Sequence, residues 1–365
     1  MQIVGIQIQG VRALANVSLA PGAGVNVLIG PNGSGKTSFL EAVHILSLGR
    51  SFRTRRTRAV IRHGAESLRV VGEVSREEGK DVCTIGIEKS ERATRLRVDG
   101  QEVRSVSALA RQLPVMVVAP EGLKALLEGS EHRRRLLDWT LFHVEPSYLD
   151  VLQRYGYALR QRNASLRNLA RGANEWEVEA WDEQTADLGE RLDEMRRRHM
   201  NSDAMAETAH EAIDSVLKEE VSWEYWCGWD RERTLKEVLN ENRRRDVETG
   251  YTTAGAHRAD VVWRASRGMA RDKLSRGQGR LLVMAFEVAQ VSYVKKVEAL
   301  RPVLLVDDLS TELDIVSMQR FLSRIESLGL QVFISSVLDA VVTLVRPNAD
   351  SRLFHVEQGR VLQAQ

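Results

Sequence analysis

Gly30-Pro31-Asn32-Gly33-Ser34-Gly35-Lys36-Thr37 is the stretch on which the fold turns. Its spacing matches G-x-x-x-x-G-K-[ST], the loop that wraps backbone N–H groups around phosphates. The flanks agree with that reading. Val25, Val27, Leu28 and Ile29 form a short apolar run of strand character, and Phe39, Leu40, Ala42, Val43 and Leu46 recur at helical spacing. The glycines therefore stand where a buried strand turns into a helix. Glycine is needed because several N–H groups must aim at one anion, in backbone conformations that side chains resist. The positive end of the following helix adds to the attraction. On this pattern residues 30–37 cradle phosphates, Lys36 neutralises the outer ones, and the Thr37 hydroxyl ligates Mg²⁺. The alternative is a chance glycine turn, which explains neither flank.

The bulk composition sets the frame. A chain of 365 residues with 43% hydrophobic and 28% charged positions is that of an ordinary globular protein of two or three domains. Met1 to Ile8 alternates as a strand, without a basic leader or an apolar core, so no secretory signal is expected. No apolar run approaches the roughly 20 residues of a membrane helix. Cys83 and Cys227 lack metal-ligand spacing, as do the histidines, and a reducing cytoplasmic compartment is the simplest expectation. The net charge of +2 argues against wholesale coating of nucleic acid and leaves room for a local basic patch.

Short strands and turns fill the chain to about Pro120, with strands expected over 67–74, 82–88 and 95–98, the last running into the hairpin signal Asp99-Gly100. From about Leu123 to Glu220 the texture becomes helical, with Leu188, Leu192 and Met195 at three- and four-residue steps among many charges. Val221, Trp223, Tyr225 and Cys227 alternate as a strand, a charged helix follows to about Arg245, and mixed strand and helix then resume.

Two further motifs complete the nucleotide chemistry. Val303-Leu304-Leu305-Val306 is a buried-strand run ending in Asp307-Asp308, which puts carboxylates at a strand's C-terminal edge. Asp307 is the expected Mg²⁺-side carboxylate, and Asp308 the residue that orients or deprotonates the attacking water. Taken alone, the same pair also reads as an ordinary turn opener. Leu274-Ser275-Arg276-Gly277-Gln278 precedes a helical run through Leu281, Leu282, Ala285, Val288 and Ala289, so a second anion-binding helix start is expected there.

In this order the pieces resemble the ATP-binding-cassette superfamily, and within it the RecF family of bacterial recombination and repair proteins. The resemblance is carried by Gly49 to Thr54, by Pro120-Glu121-Gly122 with Arg133-Arg134 and Leu137-Asp138-Trp139, by Gly255 to Asp260, by Leu274 to Gln278 and by Asp307 to Asp314. It departs at Ala256, where that family most often has proline, and at Gly122, where aspartate is common. It implies an α/β fold: a P-loop ATPase head of the ATP-binding-cassette type, built from 1–122 and 248–365, with a mainly helical lobe, 123–247, inserted. It also implies a weak DNA-stimulated ATPase that dimerises around ATP, with Ser275, Gly277 and Gln278 completing the site of the partner subunit. DNA as duplex or single-strand/duplex junction, RecR and RecO as partners, and the loading of RecA are expected from the same resemblance.

The densest basic cluster, Arg50 to Arg62, offers Arg53, Arg55, Arg56 and Arg58 as phosphate contacts, unless it is a solvated strand edge or a support for the nucleotide. Arg160, Arg162, Arg167 and Arg171 form a second candidate face and Arg243-Arg244-Arg245 a third, both also readable as ordinary charged helix surface. His257 beside Arg258 is a candidate to sense nucleotide or DNA, although a lone histidine in a loop is more often structural.

Three rival functions remain in view. A transporter ATPase subunit normally carries a histidine after the strand here read at Gln331 to Ile334, where this chain has Ser335-Ser336. A long-armed chromosome-structuring ATPase needs hundreds of heptad residues, against an insertion here of about 125 whose periodicity breaks; a short-armed relative of it stays open. A scaffold that only retains nucleotide fits poorly with intact Lys36, Thr37, Asp307 and Asp308.

Overall fold

The computed structural model describes residues 1–76, 81–119, 129–266, 268–309, 313–337, 340–345 and 350–364. Pro120-Glu121-Gly122 and Ser310-Thr311-Glu312 lie outside them. The chain divides into two compact units, Met1–Gly122 with Arg280–Gln365, and Leu123–Gly279.

The first segment runs β1 (Gln2–Val11), β2 (Leu14–Leu19), β3 (Val25–Ile29), α1 (Lys36–Leu48), β4 (Ser67–Ser75), β5 (Val82–Ser90), β6 (Thr94–Val98), β7 (Gln101–Val103), α2 (Val106–Gln112) and β8 (Val115–Val118). The inserted segment carries α3 (Ser130–Val144), α4 (Tyr148–Leu169), α5 (Trp176–Met200), α6 (Asp203–Val216), β9 (Val221–Trp226), α7 (Leu235–Thr249), β10 (Asp260–Ala265), β11 (Gly268–Met269) and α8 (Ala270–Lys273). Then come α9 (Arg276–Glu298), β12 (Val303–Val306), α10 (Ile315–Ser327), β13 (Val332–Ser336), α11 (Ala340–Leu344), β14 (Arg352–Glu357) and β15 (Arg360–Gln363).

Two six-stranded sheets build the first unit. One is antiparallel, in the order β2-β1-β4-β5-β6-β7, and its strands alternate as a half-covered sheet should: Ile6 and Ile8 are buried, Gln7 and Gln9 exposed. Asp99 and Gly100 both take left-handed backbone (φ 49° and 78°), the geometry that turns β6 tightly into β7. The other sheet, β15-β14-β3-β13-β12-β8, is parallel apart from the edge strand β15. Its three central strands β3, β13 and β12 are buried at every position, as a sheet covered on both faces requires. Helix α1 touches β1, β4 and β5 of one sheet and β8 and β13 of the other. It is accordingly buried nearly all round, with Phe39, Leu40, Val43 and Leu46 in the shared core.

The second unit is mainly helical, with β11-β10-β9 as a small antiparallel sheet. It takes in residues 248–279, which the sequence reading assigns to the head. The cause is the ladder between β10 and β9, which pairs Asp260 with Trp226 and runs to Ala265 with Val221. A guanidinium sits at the centre of the helices: fully buried Arg162 donates to Asp182 Oδ1 (2.5 Å), Asp246 Oδ2 (2.7 Å) and Thr252 Oγ1 (2.8 Å), joining α4, α5, α7 and the loop that follows. Buried Arg196 does similar work, donating to Asp138 Oδ1 (2.7 Å), Tyr148 Oη (3.0 Å) and the Ala256 carbonyl (2.7 Å). Arg133 forks onto Asp260 at 2.6 and 2.9 Å, and Arg134 donates to the Ala259 carbonyl at 2.7 Å. Motifs far apart in sequence, Arg133 to Asp138 and Gly255 to Asp260, are thus one packed structure.

Candidate nucleotide site

Strand order brings the site together. β13 lies between β3 and β12, with Val306 opposite Ile334 and Ser335 opposite Leu28. Asp307 therefore leaves its strand level with Ser335, whose hydroxyl donates to Asp307 Oδ1 (2.6 Å) and accepts the Asp308 N–H (2.9 Å). From the other side Thr37 Oγ1 donates to the same carboxylate oxygen at 2.9 Å. Burial pushes the Asp307 carboxyl above its ordinary range, and the Ser335 and Thr37 hydroxyls and the Arg53 guanidinium draw it back. A hydroxyl and a carboxylate held against one another are the protein share of a Mg²⁺ site, an ion that keeps most of its waters.

The loop before α1 is shaped by its glycines. A Cβ on Gly30 would stand 2.1 Å from the Val356 carbonyl, and Gly33 and Gly35 have φ of 77° and 121°. Pro31, Asn32 and Gly33 form the exposed tip, while Ser34 and Lys36 are buried behind it. Lys36 Nζ donates to the Gly30 and Pro31 carbonyls at 2.7 and 2.9 Å. Burial lowers its pKa, and Asp308 and Asp307 oppose that shift. Ser34 Oγ is buried with no hydrogen-bond partner among the described residues. Such an orphan is rare in a finished interior, and inside a nest of this shape it fits a phosphate oxygen. The loop and the Thr37–Asp307 pair thus suit ATP with Mg²⁺. Asp308 adopts left-handed backbone (φ 48°), uncommon outside glycine though tolerated by aspartate, and its carbonyl accepts from Arg280 Nη2 at 3.1 Å.

The signature lies in the second unit. Ser275 Oγ accepts the Gln278 N–H (3.3 Å) while Gln278 Oε1 accepts the Ser275 N–H (2.8 Å), a reciprocal capping box at the start of α9. Ser275 and Arg276 are exposed and Gly277 is half-buried.

The basic cluster splits. Arg53, Arg55, Arg56 and Arg58 are all exposed, on a loop organised by Ser51, whose hydroxyl accepts the Arg53 and Thr54 N–H groups at 2.9 and 3.1 Å and donates to buried Glu41 on α1. Arg58 is engaged with the Ala65 carbonyl (3.1 Å) and Glu91 (3.3 Å). Arg53 lies within electrostatic reach of Asp307. The lobe arginines are different in kind. Arg162 is a core ion-pair hub, and Arg243 is spent on Glu175, Glu179 and Asp182, so neither belongs to a nucleic-acid face. His257 is structural: Nε2 donates to the Thr252 carbonyl (3.0 Å), Nδ1 accepts from Tyr155 Oη (2.8 Å), and burial pushes its pKa down to about 4.

Two participants escape the sequence reading. Ser335 enters it only as the absence of a histidine. The turn between β14 and β15 also backs the loop, because the Gly359 N–H donates to the Ser34 carbonyl at 2.8 Å. Its sole signal is Gln358-Gly359 between two alternating runs.

The family model for the RecF/RecN/SMC N terminal domain matches residues 2–361. The chain belongs to that family. Proteins called DNA replication and repair protein RecF align over its whole length: that of Azotobacter vinelandii is 39% identical, covering 100% of this chain and 99% of its own, and that of Shewanella baltica is 34% identical, covering 99% of both. The fold agrees with a solved structure described as the recombination mediator protein RecF-ATP in the RecFOR pathway (TM-score 0.86, 23% identity, 100% of this chain and 97% of that one). It agrees less closely with an Smc head domain from Pyrococcus furiosus (TM-score 0.60, 14% identity, 99% and 95%). Family membership makes the chain an α/β P-loop ATPase of DNA replication and repair, and nothing in these matches favours the transporter reading. Among the described residues no helix is long and apolar enough to cross a membrane.

Proposed function

We propose that two copies of this chain close around two ATP molecules on duplex DNA or a single-strand/duplex junction, in the cytoplasm, as a switch in recombinational repair. The observation that carries this reading is the pairing of unlike half-sites: a buried phosphate nest beside a metal-side carboxylate, and an exposed helix start suited to anions. In the dimer, the nest of one copy faces Ser275 and Gly277 of the other. Lys36 leaves the Gly30 and Pro31 carbonyls for the outer phosphates, and Thr37 Oγ1 with Asp307 holds Mg²⁺. When bound, the ion neutralises charge on the phosphate oxygens. Asp308 orients or deprotonates the attacking water, and its short side chain makes turnover slow. Loss of the outermost phosphate removes what joins the two copies.

Arg53, Arg55, Arg56 and Arg58 are proposed to contact DNA phosphates, which fix position without reading sequence. The RecFOR setting of the solved relative supports RecO and RecR as partners, with RecA loading as the outcome. Sedimentation of the pure chain tests the reading. A monomer alone, a dimer with ATP and Mg²⁺, and a heavier complex when duplex DNA is added are expected; a monomer at saturating ATP would overturn it.

A further inference from the structure

Beyond the signature, the structure points to Glu219 as the residue that sets it. Glu219 stands in the short connection between α6 and β9, 59 positions before Gln278, yet its Oε1 accepts from Gln278 Nε2 at 2.5 Å. Gln278 is the one side chain of the capping box that can be wrong. Its amide ends are alike in size and opposite in chemistry, and only the oxygen can receive the Ser275 N–H. With the amide reversed, a donor would face a donor and the box would open.

We infer that Glu219 is a positioning residue for the composite ATP site. A carboxylate only accepts, so it draws the NH₂ end of Gln278 toward itself and leaves the carbonyl end facing Ser275, where the 2.8 Å bond forms. The charge-assisted bond holds both ends of the box at once. The Gln278 N–H is then spent on Ser275 Oγ and the Gly279 N–H on the Ser275 carbonyl at 2.8 Å. The N–H groups of Arg276 and Gly277, in the first turn of α9, have no intrahelical acceptor and are proposed to meet the partner's outer phosphate. The inference rests on the ATP-joined dimer proposed above and adds the residue that keeps its exposed half in shape.

The test compares Glu219→Ala with Glu219→Gln in the full chain, by ATP-dependent sedimentation and by nucleotide titration of the dilute monomer. Glu219→Ala is expected to weaken ATP-driven dimerisation by about tenfold, since each dimer holds two such helix starts and each loses a charge-assisted bond. Monomer ATP affinity should not move. Glu219→Gln keeps an acceptor oxygen but loses the charge and gains a competing donor, so it should restore only part of the dimer. Dimerisation of Glu219→Ala equal to the unaltered chain would overturn the assignment while leaving the dimer standing. A fall in monomer ATP affinity alongside the loss of dimer would make the effect a general one and would also overturn it. Failure of the unaltered chain to dimerise with ATP would remove the dimer and this role together.

Discussion

The starts of α1 and α9 are both helix N-termini suited to anions, and they are built in opposite ways. At α1 the loop is sunk behind its own tip: Ser34 and Lys36 are buried, and a carboxylate and two hydroxyls converge beside it. At α9 Ser275 and Arg276 face solvent, and the polar side chains of the cap satisfy each other. An exposed helix end contributes roughly 0.3–1 kcal/mol toward a charge, whereas the same groups out of water act through a lower dielectric and count for several times more. The first start therefore binds nucleotide by itself. The second acts only when another surface brings an anion to it and closes water out.

This contrast breaks first at Lys36. Lys36→Met should reduce ATP affinity by at least about a hundredfold, because the phosphates lose their nearest ammonium, and the ATP-dependent dimer should disappear with it. Isothermal titration and sedimentation read the two losses; a variant that still dimerises with ATP would mean that α1 is not the nucleotide end. Ser275→Arg is the converse case. Dimerisation should be lost while nucleotide titration of the monomer is unchanged, and a fall in monomer affinity would show that α9 serves its own chain's site. A narrower effect is expected of Asp308→Asn, which spares the Thr37–Asp307 pair and should slow single-turnover hydrolysis by about a hundredfold while prolonging the ATP-bound dimer. Hydrolysis at the original rate would take Asp308 out of that role.

The smallest expected effects separate two arginines of one loop. Arg56→Ala should lower the salt slope of duplex binding by about 0.9 and leave ATP affinity alone. Arg53→Ala should weaken Mg²⁺-dependent ATP binding, since its guanidinium helps keep the Asp307 carboxyl ionised. An unchanged salt slope in Arg56→Ala would place the DNA surface elsewhere.

Much of the site was legible in the sequence because its parts are local. Residues 30–37 carry their own turn, Asp307-Asp308 ends its own strand, and Ser275 with Gln278 caps its own helix. Harder to read are side chains whose role is decided by a distant partner that carries no motif of its own. Arg162 looks like one of several arginines on a charged helix, but its carboxylates stand 20 and 84 positions away, at Asp182 and Asp246, and convert it into a core residue. Removing one member of a buried pair of this kind costs about 3–5 kcal/mol, so the network belongs to stability and not to DNA contact. Ser335 was invisible for a related reason: its role depends on β13 lying between β3 and β12, an order of strands that the chain order hides. Residues 248–279 group with the lobe because β10 pairs with β9, a contact no local pattern announces.

The central claim is that an intact ATP site takes α1 from one chain and α9 from another. Mixing the Lys36→Met and Ser275→Arg variants tests it directly by sedimentation with ATP. Each variant alone should remain monomeric. Together they should form a mixed dimer, because the Ser275→Arg chain supplies a sound nucleotide loop and the Lys36→Met chain a sound signature, giving one complete site of two. A mixture that stays monomeric, like its components, while the unaltered chain dimerises would contradict the shared site.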